Sequence, residues 1–314
     1  VNDHDIGSLL FNTLFVAGTA TLIAVDTPGA IQEKLVALPW DVLEDTPTDL
    51  HRRYARQVIA LESRSITLDE LAVARAAAKY GRAVAHVVQM YRHLAGKAVP
   101  FELEVSVDET ETLTTPQEHI YIASELKRLG IRWVSLAPRY VGRFEKGIDY
   151  TGDLHALQQN LQTHAEIAHT LGPYKLGLHS DKFSVYPLIS EATRRMVHLK
   201  TAGTSYVEAR EQPALFRDIV ALACERYPQE RASYHVSAEV VQVPDIARYP
   251  VEALAGLLDE APTRQVVHVT FGSVLLTFGS ELKAVLQAHP DVYERVLDRH
   301  FYRYLRPFAE SSKK

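Results

Sequence analysis

The sequence predicts an α/β protein, a (β/α)8 TIM-type barrel in a single domain with an N-terminal α/β extension. Three observations carry that prediction. After Phe101, short apolar runs alternate with helical patterns, as parallel strands joined by right-handed crossovers do. The runs read as largely apolar, as strands covered on both faces are. No G-x-G-x-x-G or G-x-x-x-x-G-K-[ST] follows any strand, which disfavours an open doubly wound sheet and bound NAD or ATP.

The N-terminal extension covers 1–100. Residues 10–25, LFNTLFVAGTATLIAV, are β-branched and apolar, and read as one long strand or a hairpin. Asp26-Thr27-Pro28-Gly29 is turn chemistry. The stretch 30–65 is mixed and carries no clear pattern. Thr67 opens a long helical pattern, with Asp69 and Glu70 in its first turn.

Regular β/α units fill 101–308. Phe101–Val107 reads as a strand, followed by a helix at Pro116–Arg128 whose start carries Thr115-Pro116 and Glu118. The later strands read as Arg132–Leu136, Tyr174–His179, Met196–Thr201, Ser233–Ala238 and Gln265–Phe271. The helices between and after them read as Leu154–Leu171, Pro187–Arg194, Pro213–Tyr227, Pro250–Leu258 and Glu281–Tyr304. The tail 309–314 is polar.

Length and composition narrow the function. The chain has 314 residues, a formal charge of -5 and no basic excess, so nucleic acid is not an expected partner. No apolar run is long enough to span a bilayer, so no membrane is expected either. Its single cysteine, Cys224, excludes a disulfide within the chain and fits a reducing, cytoplasmic setting. Cys224 itself reads as a small buried hydrophobe.

In a parallel barrel the chemistry sits where the strands end. The ends carry Asp108-Glu109, Arg139, His179 with Lys182, Lys200, His235 and His268. His235 and His268 share similar frames, Tyr-His-Val-Ser and Val-His-Val-Thr. With a carboxylate from Asp108 or Glu109 they make a donor set suited to Zn, Mn, Co or Ni, with His179 as a possible fourth ligand. The alternative for each histidine is a hydrogen-bonded core residue, and for Asp108 a cap on the following turn. Arg139, Arg143, Lys146, Lys182 and Lys200 suit an anionic substrate. Lys200 within an apolar run is also a candidate Schiff-base amine. Glu208 reads as a helix cap or a second acid/base group.

These stretches resemble the tagaturonate epimerase family (tagaturonate/fructuronate epimerases of hexuronate breakdown). The resemblance rests on AVDTPGAIQEKLVALPW, FELEVSVDET, VSLAPRYVGRFEKGIDYTGDL, GPYKLGLHS, DKFSVYP, HLKTAGTSYVEA, RASYHVSAE and VVHVTFGS, and spans nearly the whole chain. It implies a divalent metal held by Glu109, His235 and His268, with Asp108 as proton acceptor and Glu208 as donor. Arg139, Lys146, His179, Lys182 and Lys200 are the substrate-binding candidates. The chain departs from the family pattern in LHSDKF, SYVEAREQPALF and VTFGSVLLTFGSEL, each of which is shortened, and Glu208 borders one of these joins.

The two sugar acids differ at C4, which is not next to the C2 ketone, so α-proton abstraction does not reach it. A retro-aldol opening of C3–C4 fits the residues, and direct deprotonation at C4 is its alternative. A metal-dependent aldolase or ketose–aldose isomerase, and a non-catalytic sugar-acid-binding barrel, are the competing readings. A homo-oligomer is compatible with all three.

Overall fold

A computed structural model describes residues 13–17, 27–97, 100–145, 147–179, 182–200, 209, 211–234, 245 and 248–309. Its main sheet has five strands: β1 (Thr13–Ala17), β4 (Glu102–Ser106), β5 (Ser135–Ala137), β6 (Lys175–His179) and β7 (Val197–Lys200), in the order β1-β4-β5-β6-β7. The β1–β4, β4–β5 and β5–β6 pairs are parallel, with Thr13 opposite Glu102, Glu104 opposite Ser135, and Ser135 opposite Lys175. Strand order in space follows strand order in sequence. A doubly wound sheet instead reverses at a switch point.

The mixed stretch before the long helix folds into short elements. These are helices α1 (Pro28–Val36), α2 (Trp40–Leu43) and α3 (Pro47–Tyr54), then an antiparallel hairpin of β2 (Gln57–Ala60) and β3 (Ser65–Leu68). Thr27 and Thr46 cap α1 and α3, each with proline in the first turn, the sequence signature of a helix start. The strands are therefore not all parallel: the hairpin is a local exception, made possible by its short turn.

Helix α4 (Glu70–Ala95) starts where Asp69 caps it, accepting from the Ala72 amide at 2.8 Å. Its alanine-rich face is buried, including Ala76, Ala77, Val84 and Val88. Gly81 lets the Leu38 side chain pack close: a Cβ would come within 2.7 Å of it, so the leucine would have to shift. Helix α5 (Pro116–Arg128) opens with a capping box in which Thr115 and Glu118 satisfy each other's backbone amides. Helix α6 (Leu154–Leu171) is capped by Asp153. Helix α7 (Tyr186–Ala192) leads into β7.

The described residues divide into two compact units. The first comprises Val1–Val141, Asp153–Leu178 and Ile189–His198; the second comprises Gly142–Gly152, His179–Leu188 and Leu199–Lys314. The second is helical. It holds α8 (Pro213–Glu230), 3-10 turns at Arg231–Tyr234 and Val251–Asp259, α9 (Ala261–Val269), α10 (Phe271–Ala288) and α11 (Pro290–Ala309). Phe216, Ile219 and Val220 of α8 pack with Leu254, Leu257, Val266 and Val269.

Several expectations change here. Gln265–Phe271 is not a strand: Gln265–Val269 lies in α9, and Phe271 starts α10. Thr263, Val266, Val267 and Thr270 are buried at helical spacing, and Pro262 sits in the first turn, where a helix accepts it. A short apolar run such as VVHV cannot separate strand from helix by periodicity alone. The expected helix at Pro250–Leu258 is a 3-10 turn, and the one at Glu281–Tyr304 is two helices broken before Pro290. Of the expected strand Ser233–Ala238, Ser233 and Tyr234 fall in a 3-10 turn, and the rest lies outside the described residues.

Candidate functional site

The first unit places Asp108 just beyond β4. Ser106 Oγ donates to Asp108 Oδ1, and Arg139 Nη1 donates to the Asp108 carbonyl at 3.4 Å. The segment between is fixed from behind. The Arg139 amide donates to Thr114 Oγ1 at 2.9 Å, Thr114 meets the Tyr80 hydroxyl at 2.9 Å, and buried Lys79 donates to the Leu113 carbonyl and Glu118. Asp108 is therefore held by Ser106. Glu109, next to it, is exposed. Among the described residues, Nε of Arg139 is buried with no hydrogen-bond partner, a donor suited to an anionic group.

Below Asp108 the same side of β4 carries a second carboxylate. Residues two apart on a strand share a face, which sets Glu104 with Ser106. Glu104 Oε2 accepts from Ser135 Oγ on β5 at 2.7 Å and meets Nδ1 of His198 on β7. The Glu104 side chain is 4% exposed and that of His198 33%. Gly177 of β6 fits beneath: a Cβ there would lie 2.6 Å from that of Ala137. The Tyr140 hydroxyl donates to the Gly177 carbonyl at 3.3 Å. Burial first, then the charges of Asp108 and Glu104, hold the Tyr140 phenol well above its usual range.

A third polar cluster lies between α5 and α6. His119 Nδ1 meets His164 Nδ1 at 2.8 Å, and His119 Nε2 meets the Tyr174 hydroxyl at 2.8 Å. Burial lowers both histidines, His164 to about 4.

The second unit holds the remaining described candidates. Lys182 is fully buried, and its ammonium donates to the carbonyls of Glu145 at 2.8 Å and Ile148 at 2.7 Å. Through these two bonds Lys182, a substrate-binding candidate in the sequence, ties 182 to the segments at 145 and 148. The loop 142–152 rests on α9. Gly147 has φ +75, and a Cβ there would meet Gln265 Cα at 2.6 Å, so only glycine fits. Arg264 Nε donates to the Gly147 carbonyl at 3.3 Å, and Gln265 accepts from the Tyr227 hydroxyl at 2.9 Å. His268 is half-buried in the last turn of α9, on a helix instead of the expected strand.

Lys200 ends β7 and is exposed, and His179 ends β6 with its side chain outside the described residues. Lys146, Glu208 and His235 lie outside them altogether. Among the described residues no three histidine, cysteine or carboxylate side chains converge as a metal site. Cys224 is half-buried, its thiol pushed up to about 11 by burial, as suits a packed hydrophobe. No single helix among the described residues is long and apolar enough to cross a membrane.

The profile of the tagaturonate epimerase family matches residues 16–307. The chain belongs to this family. The tagaturonate/fructuronate epimerase of Thermotoga maritima is 40% identical over 265 residues, covering 82% of this chain and 55% of that protein. The native crystal structure of the fructuronate-tagaturonate epimerase UxaE from Cohnella laeviribosi superposes with a TM-score of 0.81 at 29% identity, over 98% of this chain and 66% of that one. Its form with two glycerols gives a TM-score of 0.82 at 28% identity, over 98% of this chain and 67% of that one. The chain therefore spans about half to two thirds of the length of these relatives.

Within this tagaturonate epimerase family member, residue-type reasoning passed over Glu104, Ser106, Ser135, Tyr140 and His198. The signal was present in FELEVSVD, where Glu104, Ser106 and Asp108 recur at every second position. Polar residues on one side of an otherwise apolar strand mark a polar face.

Proposed function

We propose that this chain is a sugar-acid epimerase interconverting D-tagaturonate and D-fructuronate at C4. The observation that carries the proposal is the family match across 16–307, joined to a carboxylate, Asp108, held beside Arg139 at the end of a parallel strand. In this reading Arg139 and Lys200 attract the carboxylated substrate, with His179 and Lys146 as further ligands, in the cytoplasm.

Asp108 takes the proton from the C4 hydroxyl, and the C3–C4 bond opens to an aldehyde at C4. The fragment turns and recloses on its other face, and an acid returns the proton to the C4 oxygen. Direct deprotonation and reprotonation at C4 is the competing route. Resemblance alone points to Glu208 as the acid.

Glu109, His235 and His268 would hold a divalent cation. One carboxylate and two imidazoles are the donors that Zn, Mn, Co and Ni accept, and the described pair, exposed Glu109 and half-buried His268, are both reachable from solvent. When bound, such a cation polarises the C2 ketone.

A closed (β/α)8 barrel in one catalytic domain is the fold we propose for the chain as a whole. Sequential strand order supports it, as does the curvature that lets Glu104 on β4 meet His198 on β7.

The test follows both sugar acids by NMR with the protein as purified, after EDTA, and after metal add-back. Metal-dependent interconversion is expected. Cleaved or aldose products would instead mark an aldolase or isomerase, and ligand binding without turnover a sugar-acid-binding protein. Trapping a three-carbon aldehyde-acid supports the retro-aldol route, whereas full C4 deuterium exchange at early turnover excludes it.

A further inference from the structure

We propose that His198, oriented by Glu104, is the acid that returns the proton at C4. The inference rests on the epimerase reading and names a residue that the resemblance does not assign.

The geometry is that of an acid/base group with its orienting partner. Nδ1 of His198 has essentially no accessible surface and lies against the Glu104 carboxylate. The side chain as a whole is nevertheless 33% exposed, and in this inference its open edge is the one that carries Nε2. A carboxylate on Nδ1 fixes the ring and leaves Nε2 to exchange protons. Glu104 is fixed in turn by Ser135 Oγ at 2.7 Å. An acid or base lying against a carboxylate that is itself hydrogen-bonded recurs in proton-transfer sites.

Position agrees with this role. Glu104, Ser106 and Asp108 follow one another at every second residue of β4 and just beyond it. Ser106 binds Asp108, and Ser106 lies opposite Ala137 in register. Gly177 packs on Ala137 and carries no side chain. Glycine and alanine at these positions place no large side chain of their own there.

The protons balance. On opening, Asp108 takes the C4 hydroxyl proton, and the C3–C4 bonding pair moves toward the C2 ketone. On reclosure that pair re-forms C3–C4 on the other face of the aldehyde, and the C4 oxygen becomes an alkoxide. The imidazolium of His198 gives it the Nε2 proton. Asp108 then loses its proton to solvent, and His198 regains one, so no proton is consumed overall.

The experiment compares His198→Gln, His198→Ala, Glu104→Gln and Glu208→Gln with the unaltered chain, using both sugar acids. Expected for His198→Gln is a fall in kcat of about 10²–10⁴-fold with KM within threefold of the original, an unchanged Tm, and accumulation of the trappable aldehyde fragment. Added imidazole should restore turnover to His198→Ala in proportion to its concentration, which a packing defect would not allow. Glu104→Gln should lower kcat by roughly 10–100-fold. If buried Glu104→Gln fails to fold, the half-exposed His198 variants still decide the matter. Full turnover in His198→Gln, a loss confined to KM, or imidazole without effect on His198→Ala would overturn the inference, as would fragment accumulation in Glu208→Gln alone. An unaltered chain that does not interconvert the two sugar acids would remove the epimerase reading and this inference together. An active one with His198→Gln unaffected removes this inference only.

Discussion

The Glu104 carboxylate on β4 and the His198 imidazole on β7 touch, although β5 and β6 lie between their strands. Neighbouring strands are about 4.8 Å apart, so β4 and β7 would stand about 14 Å apart in a flat sheet. Glutamate and histidine side chains together do not span that distance. The sheet must therefore curl toward the face that carries them, and small residues at Ala137 and Gly177 make the curl possible.

The first prediction tests that curvature. A methyl group at Gly177 would meet Ala137 Cβ at 2.6 Å, and backbone is next in line, with Ala137 Cα at 3.1 Å. Neither can swing away. Gly177→Ala should cost roughly 1–3 kcal/mol, read as a lower urea midpoint with the slope unchanged. The double variant Gly177→Ala/Ala137→Gly should recover part of the loss. An unchanged midpoint for the single variant would mean that β5 and β6 are not in close contact here.

The sequence made some elements legible to the residue and hid others. Helices at Pro116–Arg128 and Leu154–Leu171 were predicted with the bounds they have, because Thr115-Pro116-x-Glu118 and Asp153 are chemical start signals. The helical character of Gln265–Val269 was hidden, because a four-residue apolar run fits either period. Asp108 stood out because it ends a strand. Lys182 stood out for the same reason, and its bonds to two backbone carbonyls are what no local pattern announces. The pairing of Glu104 with His198 depends on sheet curvature, which no local pattern encodes.

Lys182 supplies the second prediction. Its ammonium satisfies the Glu145 and Ile148 carbonyls inside the second unit. Lys182→Met keeps the length of the chain and removes both donors, leaving buried acceptors bare. The expected cost is roughly 1–3 kcal/mol, with faster proteolytic cutting within 142–152. Substrate affinity should move less than stability. A large rise in KM at unchanged Tm would restore Lys182 as a substrate ligand.

The third prediction concerns acid. Burial depresses His164 from 6.5 to about 4 and holds His119 well below 6.5, the charge of His164 adding to the effect. Between those limits the unfolded chain binds more protons than the folded one, so stability rises with pH. The contribution is fully present above about pH 6.5 and is lost as pH falls through about 4. For His164 alone it amounts to on the order of 3 kcal/mol. Urea unfolding between pH 4 and 7 should show this slope, and His164→Gln should flatten it. An equal slope in the variant would assign acid sensitivity to other groups.

The fourth prediction separates the adjacent carboxylates, Asp108 and Glu109. Asp108 accepts from Ser106 and sits beside Arg139, whereas Glu109 is exposed. A carboxylate already hydrogen-bonded by a strand serine is held in one orientation, as proton transfer requires. The exposed neighbour keeps its oxygens available to a cation. Glu109→Gln should therefore lose bound metal, measured by elemental analysis after desalting, and lose activity with it. Asp108→Asn should retain metal at the original stoichiometry while kcat falls by about 10²–10⁴-fold. Ser106→Ala should fall between Asp108→Asn and the unaltered chain in kcat and leave the metal in place, with Ser106→Thr partly restoring the rate. If Asp108→Asn loses the metal and Glu109→Gln keeps it, the two carboxylates exchange roles, and the serine contact then orients a metal ligand instead of a base.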